Sequence, residues 1–257
     1  IKVIDMGVRG FARKIALLDK YDTRLQCGQC HVEYNCNPGT DSKTGEKVTM
    51  ADKRTNHFPY KDVFGLYEHY MNQVNFLDFK NAVTGGMLWK AQHPESETFY
   101  NSKHAKAGVG CDDCHTPKIK DKKGKTYTSH FAVTPKVQLK ETCLKCHPKW
   151  TEEMARYSID SIKAYGKGKM RKAEFWISAL MDRIVEAKKA GVSDDVIKQA
   201  QDQHLRAHIL WEFWTAENSD GFHNPDMARE SLTKSVDESQ KGIKILADAM
   251  APKTAAK

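Results

Sequence analysis

The last hundred or so residues carry the clearest pattern in the chain: apolar positions recur at helical spacing between polar ones. Phe175, Ile177, Leu180, Met181 and Ile184 share one stripe. Gly191 ends that helix, and Ser193-Asp194-Asp195 opens another that carries His204, His208, Leu210 and Trp214. Asn224-Pro225 caps a third, with Ala228, Leu232, Val236, Ile243 and Leu246 on one face. Such stripes serve first as core, and their length and aromatic content also suit a helix-to-helix contact between two copies. Upstream the pattern weakens. Residues 2–24 read as an irregular or helical lead-in, and 37–56, with Asn37-Pro38-Gly39 and Thr44-Gly45, as a long loop. Gln92-His93-Pro94-Glu95 starts a helix with Glu95 and Glu97 in its first turn, running through Ala107 and stopping at Gly108. On that one helix His93 and His104 would lie about three turns apart on a similar side. Strand signals are weak, so the expected fold is mainly α.

The cysteines add chemistry to this frame. They stand at 27, 30, 36, 111, 114, 143 and 146, and six form pairs followed at once by His: Cys27-Gly-Gln-Cys30-His31, Cys111-Asp-Asp-Cys114-His115 and Cys143-Leu-Lys-Cys146-His147. With 11 His in 257 residues, three such coincidences have a chance of roughly one in ten thousand. Two thiols three positions apart on a helical turn reach the two vinyl groups of one haem as thioethers. The His that follows then lies beneath the ring as proximal iron ligand. Zinc ribbons space their pairs by about 15–20 residues, far from the spacings here, and a thioredoxin-like site uses one pair in a β-α-β context. An i, i+3 pair also rarely suits a strain-free disulfide. The reading is three haems c, which places the chain in an exported, bacterial-type compartment. Residues 1–150 become a haem-bearing region and 151–257 a long-helix region suited to a dimer contact, both parts of one compact unit. Cys36 stands outside the motifs as a free buried thiol or a bridge to another segment, with a ligand role as the remaining alternative.

Three proximal ligands leave His57, His69, His93, His104, His130, His204, His208 and His223. A low-spin haem takes a second axial ligand, so three haems would use up to three of these eight. Mean hydropathy is −0.66, and no apolar run approaches the ~18–20 residues of a membrane-spanning helix. Lys and Arg number 41 against 33 Asp and Glu, leaving +8. The basic stretches 118–125 and 163–172 read as solvated faces, the first as a turn. Ionised propionates lower the balance to about +5, which disfavours nucleic acid as a partner and leaves a field that draws a small anion.

At Cys27-Gly-Gln-Cys30-His31-Val32-Glu33-Tyr34 and Lys90-Ala91-Gln92-His93-Pro94-Glu95 the chain resembles the ammonia-forming cytochrome c nitrite reductases, a periplasmic pentahaem family. The likeness extends over the two later haem motifs, Gly221-Phe222-His223-Asn224-Pro225 and the helical C-terminus. It implies six-electron reduction of nitrite to ammonium, with this chain bearing the third, fourth and fifth haems. An upstream part would then carry a Cys-x-x-Cys-Lys catalytic haem, an Arg of the pocket and one more Cys-x-x-Cys-His. Tyr34 and His93, with Gln92, match residues of the distal pocket. Glu33 and Gln92 match side-chain ligands of a calcium site completed by the carbonyls of Tyr34 and Lys90; calcium takes hard oxygen donors of these kinds. His104 matches the distal ligand of the haem on Cys143 and Cys146, and His223 that of the haem on Cys111 and Cys114. His130 would reach a haem of the upstream part. Since no Cys-x-x-Cys-Lys occurs here, this chain alone is expected to be inactive. The resemblance also implies a homodimer through the long helices and a membrane-anchored, quinol-oxidising multihaem cytochrome c as electron donor. The rivals are an electron carrier without a substrate site, which leaves Glu33, Tyr34, Gln92 and His93 without a role, and a related oxidoreductase acting on hydroxylamine or a sulfur oxyanion.

Overall fold

In the computed structural model, which describes residues 2–8, 11–17, 19–20, 22–35, 39–55 and 57–252, the chain opens with an antiparallel hairpin. Strand β1 (Lys2–Val8) pairs with β2 (Phe11–Leu17), Lys2 opposite Leu17 and Val8 opposite Phe11. The irregular or helical lead-in expected over 2–24 is therefore corrected. Val3, Ile4, Val8 and Ile15 are β-branched residues that favour extended backbone. Helix comes only with α1 (Thr23–Cys27), where the Asp22 carboxylate accepts from Arg24 N. Cys36, whose role was left open above, lies outside the described residues.

The stretch expected as loop over 37–56 contains a short strand, β3 (Thr40–Asp41). Next come α2 (Leu66–Glu68), a π-helical turn at His69–Gln73, and β4 (Phe76–Leu77), which pairs antiparallel with β3. Arg54 ties this region together, reaching Asp41 at 2.6 Å, Asp52 at 2.9 Å and the Asn75 carbonyl at 3.0 Å. Strands β5 (Phe79–Lys80) and β6 (Met87–Leu88) form a second small ladder. The single helix expected from 93 to 107 is two: α3 (Glu95–Phe99) and α4 (Lys103–Lys106). Ser102 breaks it. Its backbone is extended and its hydroxyl accepts from Ala105 N, so a new helix starts there and His93 and His104 share no axis. Gly108, at φ +82°, ends α4 as its position foretold.

Helix α5 (Cys111–His115) precedes the hairpin of β7 (Lys118–Lys120) and β8 (Thr126–Thr128), whose turn falls in the basic stretch. Helix α6 (Cys143–Cys146) then leads to the long helices α7 (Glu152–Lys189), α8 (Asp194–Ala216) and α9 (Pro225–Met250). Thr151 caps α7 through Met154 N, and Glu152 and Glu153 at its start and Lys188 and Lys189 at its end suit the helix dipole. The fold is mainly α, with strand confined to small two-stranded pieces. Among the described residues no helix is long and apolar enough to cross a membrane.

The three long helices pack on one another, and their core continues into the first half of the chain. Leu205, Ile209, Phe213, Trp214 and Leu232 share a cluster with Leu66, Tyr70, Phe76, Leu88 and Trp89. Burial of each such side chain stabilises by about 1.5–3 kcal/mol. Ile177, Leu180 and Ile184 are buried as their stripe requires, but Phe175 is 66% exposed. Helices α8 and α9 approach closely because α9 presents small buried residues. Ser231 and Ser235 donate to the carbonyls of Leu210 and Ala207 at 2.6 and 2.7 Å. At Gly166 a Cβ would lie 2.1 Å from the Asp220 carbonyl oxygen.

Two measurements follow from this packing. Gly166→Ala must push the 217–224 loop off α7, and overpacking of this kind costs about 1–3 kcal/mol, so the melting temperature should fall. An unchanged melting temperature would contradict the contact. Burial also lowers His204 and His208 to about 4 from 6.5. The unfolded chain therefore binds more protons in that interval, and stability present above pH 6.5 is lost as pH falls towards 4. Denaturant titrations of His204→Gln/His208→Gln should show a shallower loss over the same range than the parent.

Candidate functional site

Cys111 and Cys114 lie on α5, Cys143 and Cys146 on α6, and Cys27 closes α1 with Cys30 in the turn after it; each pair has its own local anchor. Asp22 holds the start of α1, Asp113 accepts from Gly110 N at 2.8 Å at the start of α5, and Thr142 donates to the Gln138 carbonyl at 2.7 Å before α6. The three motifs are neighbours. Cys111 feels the Cys27 thiol, and Cys114 those of Cys143 and Cys146; burial first, and these neighbours after it, push Cys111 up to about 11 and Cys114 up to about 12. A reactive or redox-active thiol is shifted the other way. All six motif cysteines are unbridged.

At the second and third motifs another histidine faces the motif histidine. His104 and His147 have ring centres 6.5 Å apart, and His115 and His223 have theirs 6.3 Å apart. Two imidazoles sharing one metal through bonds of ~2.0–2.1 Å put their ring centres about 6 Å apart, and both separations match that spacing. Trp150 stacks on His147 at 4.3 Å, and His115 Nδ1 lies 3.3 Å from the Val133 carbonyl. His31 is largely exposed and His130 is exposed. The remaining histidines pair elsewhere: His57 and His69 meet Nε2 to Nε2 at 2.8 Å, and His208 bonds the Trp89 carbonyl at 2.9 Å. The Cys-x-x-Cys-His donor sets fit haem c, and at the second and third motifs the ring spacings fit it as well.

Around the first motif a second cluster forms. Ser96 N and Oγ donate to the His31 carbonyl at 3.0 and 2.5 Å, which docks the start of α3 beside the motif. Glu33, fully buried, accepts from Gln92 N at 2.7 Å, and its own N donates to the Glu97 carboxylate at 3.2 Å. These bonds bring Tyr34 and His93 together, ring centres 6.3 Å apart, with Phe58 5.9 Å from Tyr34. Lys90 contributes backbone, its N donating to Asp78 at 2.8 Å. An open recess of about 310 Å³ next to this cluster includes Glu97, Tyr60 and Tyr100.

The cluster is short of positive charge. Burial pushes Glu33 up to about 9, Glu97 up to about 7 and Asp78 up to about 6, with Glu33 further raised by the other two acids. Glu33 Oε1 and Gln92 Nε2 are buried without a hydrogen-bond partner. Among the described residues no three His, Cys, Asp or Glu side chains converge as a metal cage. A cation here would depend on one carboxylate with amide and carbonyl oxygens, a hard-oxygen set suited to calcium. Asp78 and Glu97 escaped the sequence reading: Asp78 carries no local signal, and Glu97 read as an ordinary first-turn acid.

Short helices presenting Cys-x-x-Cys-His opposite partner histidines, inside a mainly helical frame, define a c-type cytochrome. The chain belongs to the cytochrome c552 family, whose model matches residues 6–257. It is 30% identical over 246 residues to the cytochrome c nitrite reductase subunit NrfA of Nitratidesulfovibrio vulgaris, covering 88% of this chain and 45% of that protein. Cytochrome c-552 of Haemophilus ducreyi is 31% identical over 231 residues, covering 86% of this chain and 41% of the relative. Among solved structures, the cytochrome c nitrite reductase NrfA of Desulfovibrio desulfuricans, described with two calcium sites, superposes with a TM-score of 0.75 at 26% identity. That match covers 91% of this chain and 51% of the other. The chain thus spans about half the length of the relatives it matches.

Proposed function

We propose that this chain supplies three haems c and one wall of the substrate site to a periplasmic reductase that converts nitrite to ammonium. The observation that carries the reading is the Glu33 to Gln92 bond, which holds Tyr34 against His93 beside the first haem motif. Haem, when bound, supplies the path for electrons. The chain's own residues would receive the anion: His93 donates to a nitrite oxygen and passes protons, and Tyr34 shapes the pocket and its polarity. Reduction to ammonium consumes six electrons and eight protons, which accounts for several closely spaced haem motifs and a proton-donating pocket together.

The ligand assignments belong to this proposal. Cys27, Cys30 and His31 would hold one haem; Cys111, Cys114, His115 and His223 a second; Cys143, Cys146, His147 and His104 a third. The ring separations of the two pairs support them. The exposure of His130 suits a ligand for a haem bound elsewhere in the whole protein. Calcium would bind Glu33, Gln92 and the carbonyls of Tyr34 and Lys90, answering the partnerless Glu33 Oε1. Residues 151–257 would carry the contact to a second copy, supported by Tyr157 and Phe175 standing 75% and 66% exposed on α7. The electron donor would be a membrane-anchored, quinol-oxidising multihaem cytochrome c.

Expressed with its upstream segment and haem, the protein should oxidise a reduced dye when nitrite is added and release ammonium. His93→Ala should lower kcat by about 10²–10⁴-fold, the usual range for a general acid or base. Absence of both nitrite- and hydroxylamine-dependent oxidation would sink the assignment. Calcium should raise the melting temperature, as any ligand of the folded state does, and EGTA should lower it. Glu33→Gln should abolish that dependence; a calcium response that survives in the variant would remove Glu33 from the site.

A further inference from the structure

Glu217 belongs neither to the ligand set nor to the calcium site, yet its side chain is wholly buried. Its Oε2 accepts from Ser219 N at 3.0 Å, Ser219 Oγ at 2.8 Å and Gly221 N at 3.4 Å, so the loop wraps around the carboxylate. Its Oε1 stands 2.6 Å from His223 Nδ1, close but out of line for a hydrogen bond, and both atoms have no other partner. Ser219 Oγ also accepts from His223 N at 2.9 Å, fixing the backbone that carries the ring. Next along the chain, Asn218 donates through N and Nδ2 to Glu95 Oε1 at 3.3 and 2.5 Å. Glu95 Oε2 in turn lies 3.5 Å from His31 Nδ1.

Of the other haem-site histidines, only the largely exposed His31 also meets a carboxylate among the described residues, and at the longer distance of 3.5 Å. His115 faces the Val133 carbonyl, and among the described residues neither His104 nor His147 enters an ion pair with a carboxylate. A carboxylate on the outer nitrogen of a metal-bound imidazole fixes its tautomer and orientation and raises the basicity of the ligating nitrogen. Negative charge added to an axial ligand favours Fe(III) over Fe(II), and burial keeps water from screening it.

We propose that Glu217 is a positioning residue that orders the loop carrying His223, sets its carboxylate 2.6 Å from Nδ1, and so makes the haem between His115 and His223 harder to reduce than the haem between His104 and His147. The inference deepens the ligand assignment above and rests on it. Each reduction adds one electron to one iron from the electron donor, and no bond at Glu217 is made or broken.

The test uses the full-length holoprotein, with haem potentials followed by optical and EPR redox titration. Glu217→Gln should shift the Fe(III)/Fe(II) balance of one low-spin haem at least tenfold towards Fe(II), which is 59 mV for a one-electron couple, with smaller movement of the others. If that variant does not accumulate with its haems, Glu217→Asp is read instead, and its retracted carboxylate should raise the same midpoint by less. Unchanged midpoints in a variant that retains its haem content and low-spin signals would overturn the proposal. His223→Met checks the ligand assignment by itself and should convert one bis-histidine signal to a histidine–methionine one. If every bis-histidine signal survives in His223→Met, that assignment fails, and the proposal with it, whatever Glu217→Gln shows.

Discussion

A carboxylate taken fully out of water must be met by donors or by a cation, and Glu33 is met by only part of what it needs. One oxygen takes the Gln92 backbone N–H, the other takes nothing, and the buried Glu97 and half-buried Asp78 stand near it. The arrangement joins segments about sixty residues apart in sequence and fixes where Tyr34, His93 and the first Cys-x-x-Cys-His sit relative to one another. Everything proposed for substrate handling depends on that junction. A doubly charged ion among hard oxygens is the simplest answer to the missing charge.

The long helices support this junction from behind. Residues of α8 and α9 complete the cluster that holds Leu66, Tyr70, Phe76, Leu88 and Trp89, so the segments flanking the site are packed on the bundle. The 217–224 loop between α8 and α9 is held against α7 at Gly166, where there is no room for a side chain. That loop delivers His223 to His115 at one end and Asn218 to Glu95 at the other. The bundle is thus the part against which the placement of these histidines is set.

Buried carboxylates recur at the edges of the cluster, and each has a different local answer. Glu95 has Asn218, Glu97 has the Glu33 N–H, and Glu217 has a wrapping loop plus a histidine. Placing charge close to some haem histidines and not others is a direct way to separate haem potentials along a chain of otherwise similar sites.

Local patterns were legible without the fold. The haem motifs depend on spacing within one helical turn, and the three long helices on periodicity and caps such as Asn224, which accepts from Met227 N as expected. Mainly α architecture followed from the same signals. The pairing of His104 with His147 and of His115 with His223 came from resemblance, not from spacing, because both unite residues far apart in sequence. Tertiary structure decided the rest. The helix from 93 divides at Ser102, the lead-in pairs with itself as a hairpin, and Phe175 turns outward from a stripe that otherwise faces inward. Asp78, Glu97 and Glu217 look like ordinary surface acids when read singly. Their meaning arises from desolvation and from partners that only folding supplies, and neither leaves a periodic trace along the chain.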